Sequence, residues 1–378
     1  MNYPIPFNRP FLTGNELDYI RQAVESGKIS GNGLFTQKCQ RFFCERYGFR
    51  KTLLTTSCTD ALEMAAILAD VGPGDEVIVP SYTFVSSALA FVRQGAHVVF
   101  ADSCPGNPNL DATRLEALAA RPRMKAIVAV HYAGVACDMD AILALANRYG
   151  LLVVEDAAQA IDATYKKRPL GGIGHLGCFS FHETKNVITG EGGALAVNDE
   201  RFARRSEIIW EKGTNRAEFF RGEVNKYGWA DVGSSFLPSE IIAAFLCAQL
   251  EHLDAIQSRR KALWNAYAEG LAPLGRQGRL ALPDVPDYAS NNAHMFYVVC
   301  GSIDERTALI AHLKRHGILA VFHYLSLHKS PYYAPRYQGG ELPNADRFSD
   351  CLLRLPMFYD LTFAQVDEIC GRIREFYA

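Results

Sequence analysis

Neither sign of charge dominates this 378-residue sequence: 39 Lys and Arg stand against 41 Asp and Glu, a formal net charge of −2, scattered rather than blocked. That balance leaves no electrostatic footprint for nucleic acid or for an anionic membrane surface. Nowhere do eighteen uncharged apolar residues follow one another, which excludes an obvious membrane-spanning helix. Met1 to Gly14 has no basic stretch leading into an apolar run, so no signal peptide is expected and the chain reads as cytoplasmic. The ten cysteines (Cys39, Cys44, Cys58, Cys104, Cys137, Cys178, Cys247, Cys300, Cys351 and Cys370) include no Cys-x-x-Cys pair. Neither a disulfide framework nor a zinc site is indicated, and the thiols are expected to be reduced and mostly buried. Internal repeats and low-complexity tracts are missing too, so neither a repeat architecture nor a disordered linker is indicated.

What remains is ordinary globular composition, 49% hydrophobic, at a length that allows a large core. A large domain over residues 1–250 and a smaller one over 251–378 are expected, with a small molecule as ligand.

Between Lys51 and Val197, short β-branched runs alternate with helical patterns. The runs are Leu53 to Thr55, Glu76 to Val79, His97 to Phe100, Ala126 to Val130, Leu151 to Val154, Cys178 to Phe181 and Ala194 to Val197. Helices fit Thr59 to Asp70, Val85 to Gln94, Asp111 to Ala120 and Met139 to Tyr149, the last closing at Gly150. This alternation predicts an α/β fold with a mostly parallel sheet covered by helices, its ligand lying at the carboxyl ends of the strands. A long helical pattern from Ser239 through Ala268 leads to a second unit beginning near Leu271. That unit has strands over Met295 to Cys300 and Leu319 to Phe322, and helices over Arg306 to His316 and Phe363 to Phe376.

Three places carry chemistry. The strand Leu151 to Val154 runs into Glu155 and Asp156, so a carboxylate stands where a parallel strand should open onto the site. Asp156 could hold a ring nitrogen protonated, although local sequence alone slightly favours a helix N-cap. The run Cys178 to Phe181 ends in His182-Glu183-Thr184-Lys185-Asn186, followed by the glycine-rich Gly190-Glu191-Gly192-Gly193. A lysine placed there can be desolvated into a Schiff-base nucleophile, whereas a lysine taken singly is far more often a solvated surface charge. Thr55 to Thr59 sits between a strand and a helix, which suits a phosphate but also suits a simple cap. Taken together, a phosphate cradle, a carboxylate for a ring nitrogen and a lysine for an aldehyde describe one ligand, pyridoxal 5'-phosphate.

With Glu155-Asp156-Ala157-Ala158-Gln159 and Ser180-Phe181-His182-Glu183-Thr184-Lys185-Asn186, the sequence resembles the sugar nucleotide aminotransferases of the fold-type I, aspartate-aminotransferase-like group, over essentially its whole length. It is most similar to members that make dTDP-4-amino-4,6-dideoxygalactose, through Pro80 to Ser86, Val130 to Cys137 and Glu211 to Arg216. The resemblance implies a large domain with a mixed, mostly parallel seven-stranded sheet and a smaller C-terminal α+β domain. It implies that Lys185 bonds the cofactor and acts as base, that Asp156 pairs with the ring nitrogen and that Gln159 reaches the ring hydroxyl. By the same resemblance Ser57, Cys58 and Ser180 bind the phosphate, and Phe84 stacks on the ring. Many relatives place an Asn from the partner subunit on the phosphate. Leu237 stands there in this sequence, which makes Ser234 or Ser235 the expected substitute.

The implied reaction is transfer of an amino group from L-glutamate to C4 of a dTDP-linked keto-sugar, in a homodimer that shares residues through Trp210 to Phe236. His182, Arg216, His323 and Tyr324 are the expected sugar-nucleotide contacts, and His323 has a buried, hydrogen-bonded core histidine as its plain alternative. A transaminase acting at C3 is the near rival. Lys185 stands where related sugar dehydratases have histidine, which disfavours those enzymes, and the presence of both Lys185 and Asp156 disfavours a non-catalytic cofactor-binding relative.

Overall fold

The computed structural model describes residues 3–378. Its strands are β1 (Lys51–Thr55), β2 (Glu76–Pro80), β3 (His97–Ala101), β4 (Met124–Val130), β5 (Leu152–Asp156), the hairpin β6 (Thr164–Tyr165) and β7 (Arg168–Pro169), β8 (Leu176–Ser180) and β9 (Gly193–Val197). Three more follow: β10 (Tyr297–Val299), β11 (Val321–Phe322) and β12 (Leu352–Arg354). The seven apolar runs expected as strands are all present, with ends moved by at most two residues.

These seven form one sheet in the order β1-β9-β8-β5-β4-β2-β3. β9 is antiparallel to both neighbours, while β3, β2, β4, β5 and β8 run parallel. Alternation along the strands divides the core in two. Val77, Val79, Val128 and Val154 pack on one side, and Ile78, Ile127 and Val153 on the other. A sheet buried on both faces has to read as nearly continuous apolar sequence, which is what made it visible.

Helices Ser86–Arg93 and Met139–Tyr149 lie within the expected ranges and Cys58–Leu68 begins one residue ahead of its own, and Met139–Tyr149 ends on Gly150 in the left-handed conformation at φ +67°. The helix expected over Asp111 to Ala120 is instead a 3-10 turn, Ala112–Arg114, and a single helical turn, Glu116–Ala119. The Asp111 carboxylate takes the N–H and hydroxyl of Thr113 at 3.1 and 2.6 Å, a local bond that competes with regular helix. The pattern over Ser239 to Ala268 is two helices, Glu240–Glu251 and Leu253–Arg276, broken at His252. The second continues past Leu271, with Pro273 inside it.

The second sheet, β10-β12-β11, is antiparallel and carries its own core, with Tyr267, Phe296, Leu353 and Ile369 at its centre. The start of the chain belongs to that side: Ile5 bridges to Ile318, and Met357 N donates to Phe7 O at 3.3 Å. All ten cysteines are free and seven are buried. Among the described residues no helix is long and apolar enough to cross a membrane.

The end of β5 positions the site. Side chains alternate across a strand, so adjacent Glu155 and Asp156 face opposite ways. Glu155 is fully buried. It accepts the N–H groups of Gly171, Ile173 and Gly174 at 2.8, 2.7 and 2.6 Å, and His131 Nε2 at 2.9 Å. Cys137 N donates to His131 Nδ1 at 3.2 Å, so the ring proton lies on Nε2 and is given to Glu155. Gly174 cannot take a side chain there, because a Cβ would stand 2.9 Å from Val153 O. Glu155→Ala would leave three amides and an imidazole without their acceptor. The expected loss is roughly 3 kcal/mol, read from the urea midpoint at unchanged slope. A loss under about 1 kcal/mol would mean that water replaces the carboxylate.

Candidate active site

A cavity of about 830 Å³ opens at the carboxyl ends of β4, β5 and β8, between the large sheet and the second one. On its phosphate-loop side β1 ends at Thr55 and the helix Cys58–Leu68 begins, with Ser57 as N-cap accepting Asp60 N at 3.1 Å. The first amides of that helix precede any intrahelical partner and carry the positive end of its dipole. Gly193 opens β9 against this turn. A Cβ there would lie 2.4 Å from Ser57 C and 2.5 Å from Cys58 N, so the close approach requires glycine. Ser57, Cys58 and Ser180 all line the cavity.

Asp156 faces into the cavity from the middle of the sheet, nearly buried. Ser87 Oγ donates to its Oδ2 at 2.6 Å and Ala158 N to its Oδ1 at 3.1 Å. The second bond closes a local turn; no helix begins after Asp156, so the N-cap that local sequence slightly favoured is not formed and the carboxylate is left facing the cavity.

Lys185 enters from the loop after β8, where Lys185 N bonds His182 O at 2.8 Å. The loop folds back through Gly190, at φ +81°, so that Glu183 N reaches Gly190 O at 2.9 Å. Burial pushes the Lys185 amine below the usual lysine range. Nearby Cys58 and Asp156 oppose that shift, and Arg354 adds to it. Burial also holds the Cys58 thiol well up, which leaves it a packed, unreactive member of the loop.

Gln159 links the two sheets: its Oε1 accepts Ala133 N at 2.6 Å and its Nε2 donates to Tyr324 OH at 2.9 Å. His323 stacks on Tyr324 at 3.5 Å between ring centroids, and its Nδ1 is 2.6 Å from Tyr132 OH. Burial drives His323 well below its ordinary value. It is therefore both a cavity residue and the hydrogen-bonded histidine of the plain alternative. His182 lines the rim, with Nδ1 2.9 Å from Thr184 Oγ1. Phe84 also lies on the rim, 55% exposed, its ring 6.0 Å from Tyr324.

Three expected residues are not brought together with the rest. Arg216 opens an exposed helix, Arg216–Phe220, with its guanidinium 5.0 Å from the Phe220 ring. Ser234 and Ser235 are exposed on a strip whose backbone bonds Lys212 and bridges Glu211. None of the three lines the cavity of its own chain. Among the cavity residues that went unforeseen are Arg354 at the end of β12 and His294 before β10. His294 Nδ1 lies 2.9 Å from Asn186 Oδ1, so the residue after Lys185 is tied to the second sheet.

A phosphate-sized turn that a Cβ would fill, a buried carboxylate at a strand end and a buried amine fit pyridoxal 5'-phosphate. A seven-stranded sheet with one reversed strand and a smaller second unit is the fold-type I architecture that these features accompany, and the protein is a pyridoxal-phosphate enzyme of the aspartate-aminotransferase class. Within that class the chain belongs to the DegT/DnrJ/EryC1/StrS aminotransferase family, whose pattern matches residues 10–374.

It is 34% identical over 386 aligned positions to the spore coat polysaccharide biosynthesis protein SpsC of Bacillus subtilis (99% of this chain, 97% of that one). It is 35% identical over 371 to the GDP-perosamine synthase of Caulobacter vibrioides (96% of each). Among solved structures, the PLP form of Spr1654 from Streptococcus pneumoniae superposes with a TM-score of 0.90 at 26% identity, covering 99% of this chain and 98% of that one. The chain is accordingly a PLP-dependent sugar-nucleotide aminotransferase.

A buried amine must lose its proton at lower pH than a solvated one. In the cofactor-free protein, acetic anhydride labelling of Lys185 against pH, read by peptide mass, is expected to show a midpoint below that of the exposed lysines. Asp156→Asn should lower it further, since the carboxylate raises the amine's affinity for its proton. A Lys185 midpoint equal to that of the surface lysines would contradict the burial argument.

Proposed function

We propose that the protein transfers the amino group of L-glutamate to C4 of dTDP-4-keto-6-deoxy-D-glucose, giving dTDP-4-amino-4,6-dideoxy-D-galactose for surface polysaccharide. The observation that carries the reading is Lys185, buried in one cavity with Asp156 and the Ser57 turn, in a cavity that also has room for a hexose. The choice of dTDP and of C4 rests on the resemblance of Pro80 to Ser86, Val130 to Cys137 and His182 to Asn186.

When bound, pyridoxal phosphate supplies an aldehyde for a lysine amine and a ring that withdraws electrons from the carbon being deprotonated. Ser57, Cys58 and Ser180 would hold its phosphate, and Phe84 would lie against the ring. Asp156, fixed by Ser87, would keep the ring nitrogen protonated, and Gln159 would meet the ring hydroxyl. Lys185 is the nucleophile and base: its neutral amine takes the proton from the α-carbon of L-glutamate and in the second half-reaction delivers one to C4 of the sugar. His182, His323 and Tyr324 line the space left for the sugar.

The working unit is a homodimer in the cytoplasm, with the large domain over 1–250 and the smaller over 251–378. Arg216, Ser234 and Ser235 reach the partner's cavity from the segment Trp210 to Phe236. That segment carries Phe220, Trp229 and Val232, exposed at 69%, 86% and 58%, an apolar strip that calls for a cover.

Incubation with L-glutamate, pyridoxal phosphate and dTDP-4-keto-6-deoxyglucose is expected to yield a galacto-configured 4-amino sugar nucleotide by mass and NMR, with ping-pong kinetics. Lys185→Ala should abolish it together with the visible absorbance of the lysine-bound cofactor. Product only from a 3-keto-sugar, or only from a GDP-linked one, would replace the substrate and keep the class. A fully active monomer in sedimentation would remove the shared site.

A further inference from the structure

The second unit brings together three side chains of metal-ligating type that take no part in the cofactor cavity. His312 lies in the last turn of the helix Ile303–Arg315 and His316 directly after it, four residues on and so on the same face. Glu375 comes from the last turn of the neighbouring helix, Phe363–Tyr377. The two helices share one apolar core, with Leu309 and Leu313 from the first and Ile369 and Ile373 from the second, which fixes how close their ends stand. None of the three residues lines the cavity.

Backbone carbonyls determine which edge of each ring is available. His312 Nε2 is 3.0 Å from Arg372 O, and His316 Nδ1 is 3.0 Å from His312 O. A carbonyl only accepts, so each of these nitrogens carries a ring proton. The unengaged nitrogens are Nδ1 of His312 and Nε2 of His316. The ring centroids are 4.6 Å apart, and the ligand atoms offered by the two rings and by Glu375 all lie within 4.8 Å of one another. A metal-bound imidazole nearly always gives its other N–H to a carbonyl or carboxylate, which fixes the tautomer and raises the basicity of the bound nitrogen. Both rings already have that arrangement.

His312, Lys314 and Arg315 suit the negative end of their helix, which accounts for basic residues in its last turn. It does not account for a carboxylate from another helix closing on two imidazoles. Glu375 Oε2 accepts Arg372 Nη1 at 2.9 Å, which leaves Oε1. An ion pair so exposed contributes little and yields to a stronger ligand. Two imidazoles and one carboxylate suit zinc and its neighbours, whereas calcium and magnesium take oxygen ligands. Ligands about 2.05 Å from a tetrahedral zinc stand roughly 3.4 Å from one another, so closing the site takes a movement of about 1.4 Å, within reach of side-chain rotation. We propose that His312, His316 and Glu375 form a binding site for a divalent transition-metal ion of the zinc type, with water completing its shell, that clips the helix Phe363–Tyr377 to the helix Ile303–Arg315. The site uses none of the ten cysteines, whose spacing indicated no zinc site.

The test uses the full chain, free of any affinity tag, loaded with cofactor and stripped of metal with EDTA. Equilibrium dialysis against Zn2+ is expected to leave one ion per chain. His316→Ala is expected to weaken that binding by about 100-fold and Glu375→Gln by about 10-fold. Both variants should keep the visible absorbance of the bound cofactor, which reports an intact fold; Glu375, being exposed, can be changed without disturbing the core. No Zn2+ on the parent would overturn the proposal. So would equal retention by the parent and His316→Ala, which would mean an adventitious ion only. Loss in His316→Ala with unchanged affinity in Glu375→Gln would overturn the three-ligand site and leave a pair of surface imidazoles.

Discussion

Two neighbouring carboxylates at the end of one strand, turned to opposite faces by the pleat, organise this site. Glu155 gathers three amides of the 171–174 loop and the imidazole of His131, which locks the strand end against both neighbours. Asp156 is thereby left with a fixed backbone and a free face toward the cavity, where Ser87 orients it. The loop that Glu155 holds leads directly into β8, and β8 delivers Lys185. Displacing Glu155 would loosen the acid and the amine together, although it touches neither.

The second constraint is dielectric. The cavity holds the Lys185 amine out of water with Asp156 as its nearby acid, and burial works against the charged forms of Lys185, His294 and His323. An amine whose charged form is disfavoured is the readier nucleophile, and an imidazole kept neutral, as at His323, accepts or donates a hydrogen bond without competing for the substrate's charge. The contacts Gln159 to Tyr324 and Tyr132 to His323 span the gap between the two sheets. Closure of the cavity therefore depends on polar bonds as well as on an apolar core that the units share, in which Tyr297, Val299 and Leu352 cluster with Val77, Val79 and Val128.

Much of this was legible because each signal was local. A sheet covered on both faces writes continuous apolar runs, a helix end writes Gly150, and a lysine following a buried strand stands out by contrast with what precedes it. The missed pieces depend on contacts far apart in the chain. Arg354 belongs to a three-residue strand, Leu-Leu-Arg, whose meaning appears only when β10 and β11 pair on either side of it. His294 matters through its bond to Asn186, more than a hundred residues earlier. The helix read over Asp111 to Ala120 failed because its opening aspartate found a nearer partner in Thr113. Arg216, Ser234 and Ser235 sit in motif strings that place them near a cofactor, but a string does not say whose. In one chain they lie on the outer surface.

The account turns on Lys185 being the residue that bonds the cofactor. Reduction of the cofactor-loaded protein with borohydride, followed by peptide mapping, measures this directly. A pyridoxyl group on Lys185 alone is the result predicted. The group on any other lysine, or an unmodified chain that still retains cofactor, would contradict the central claim.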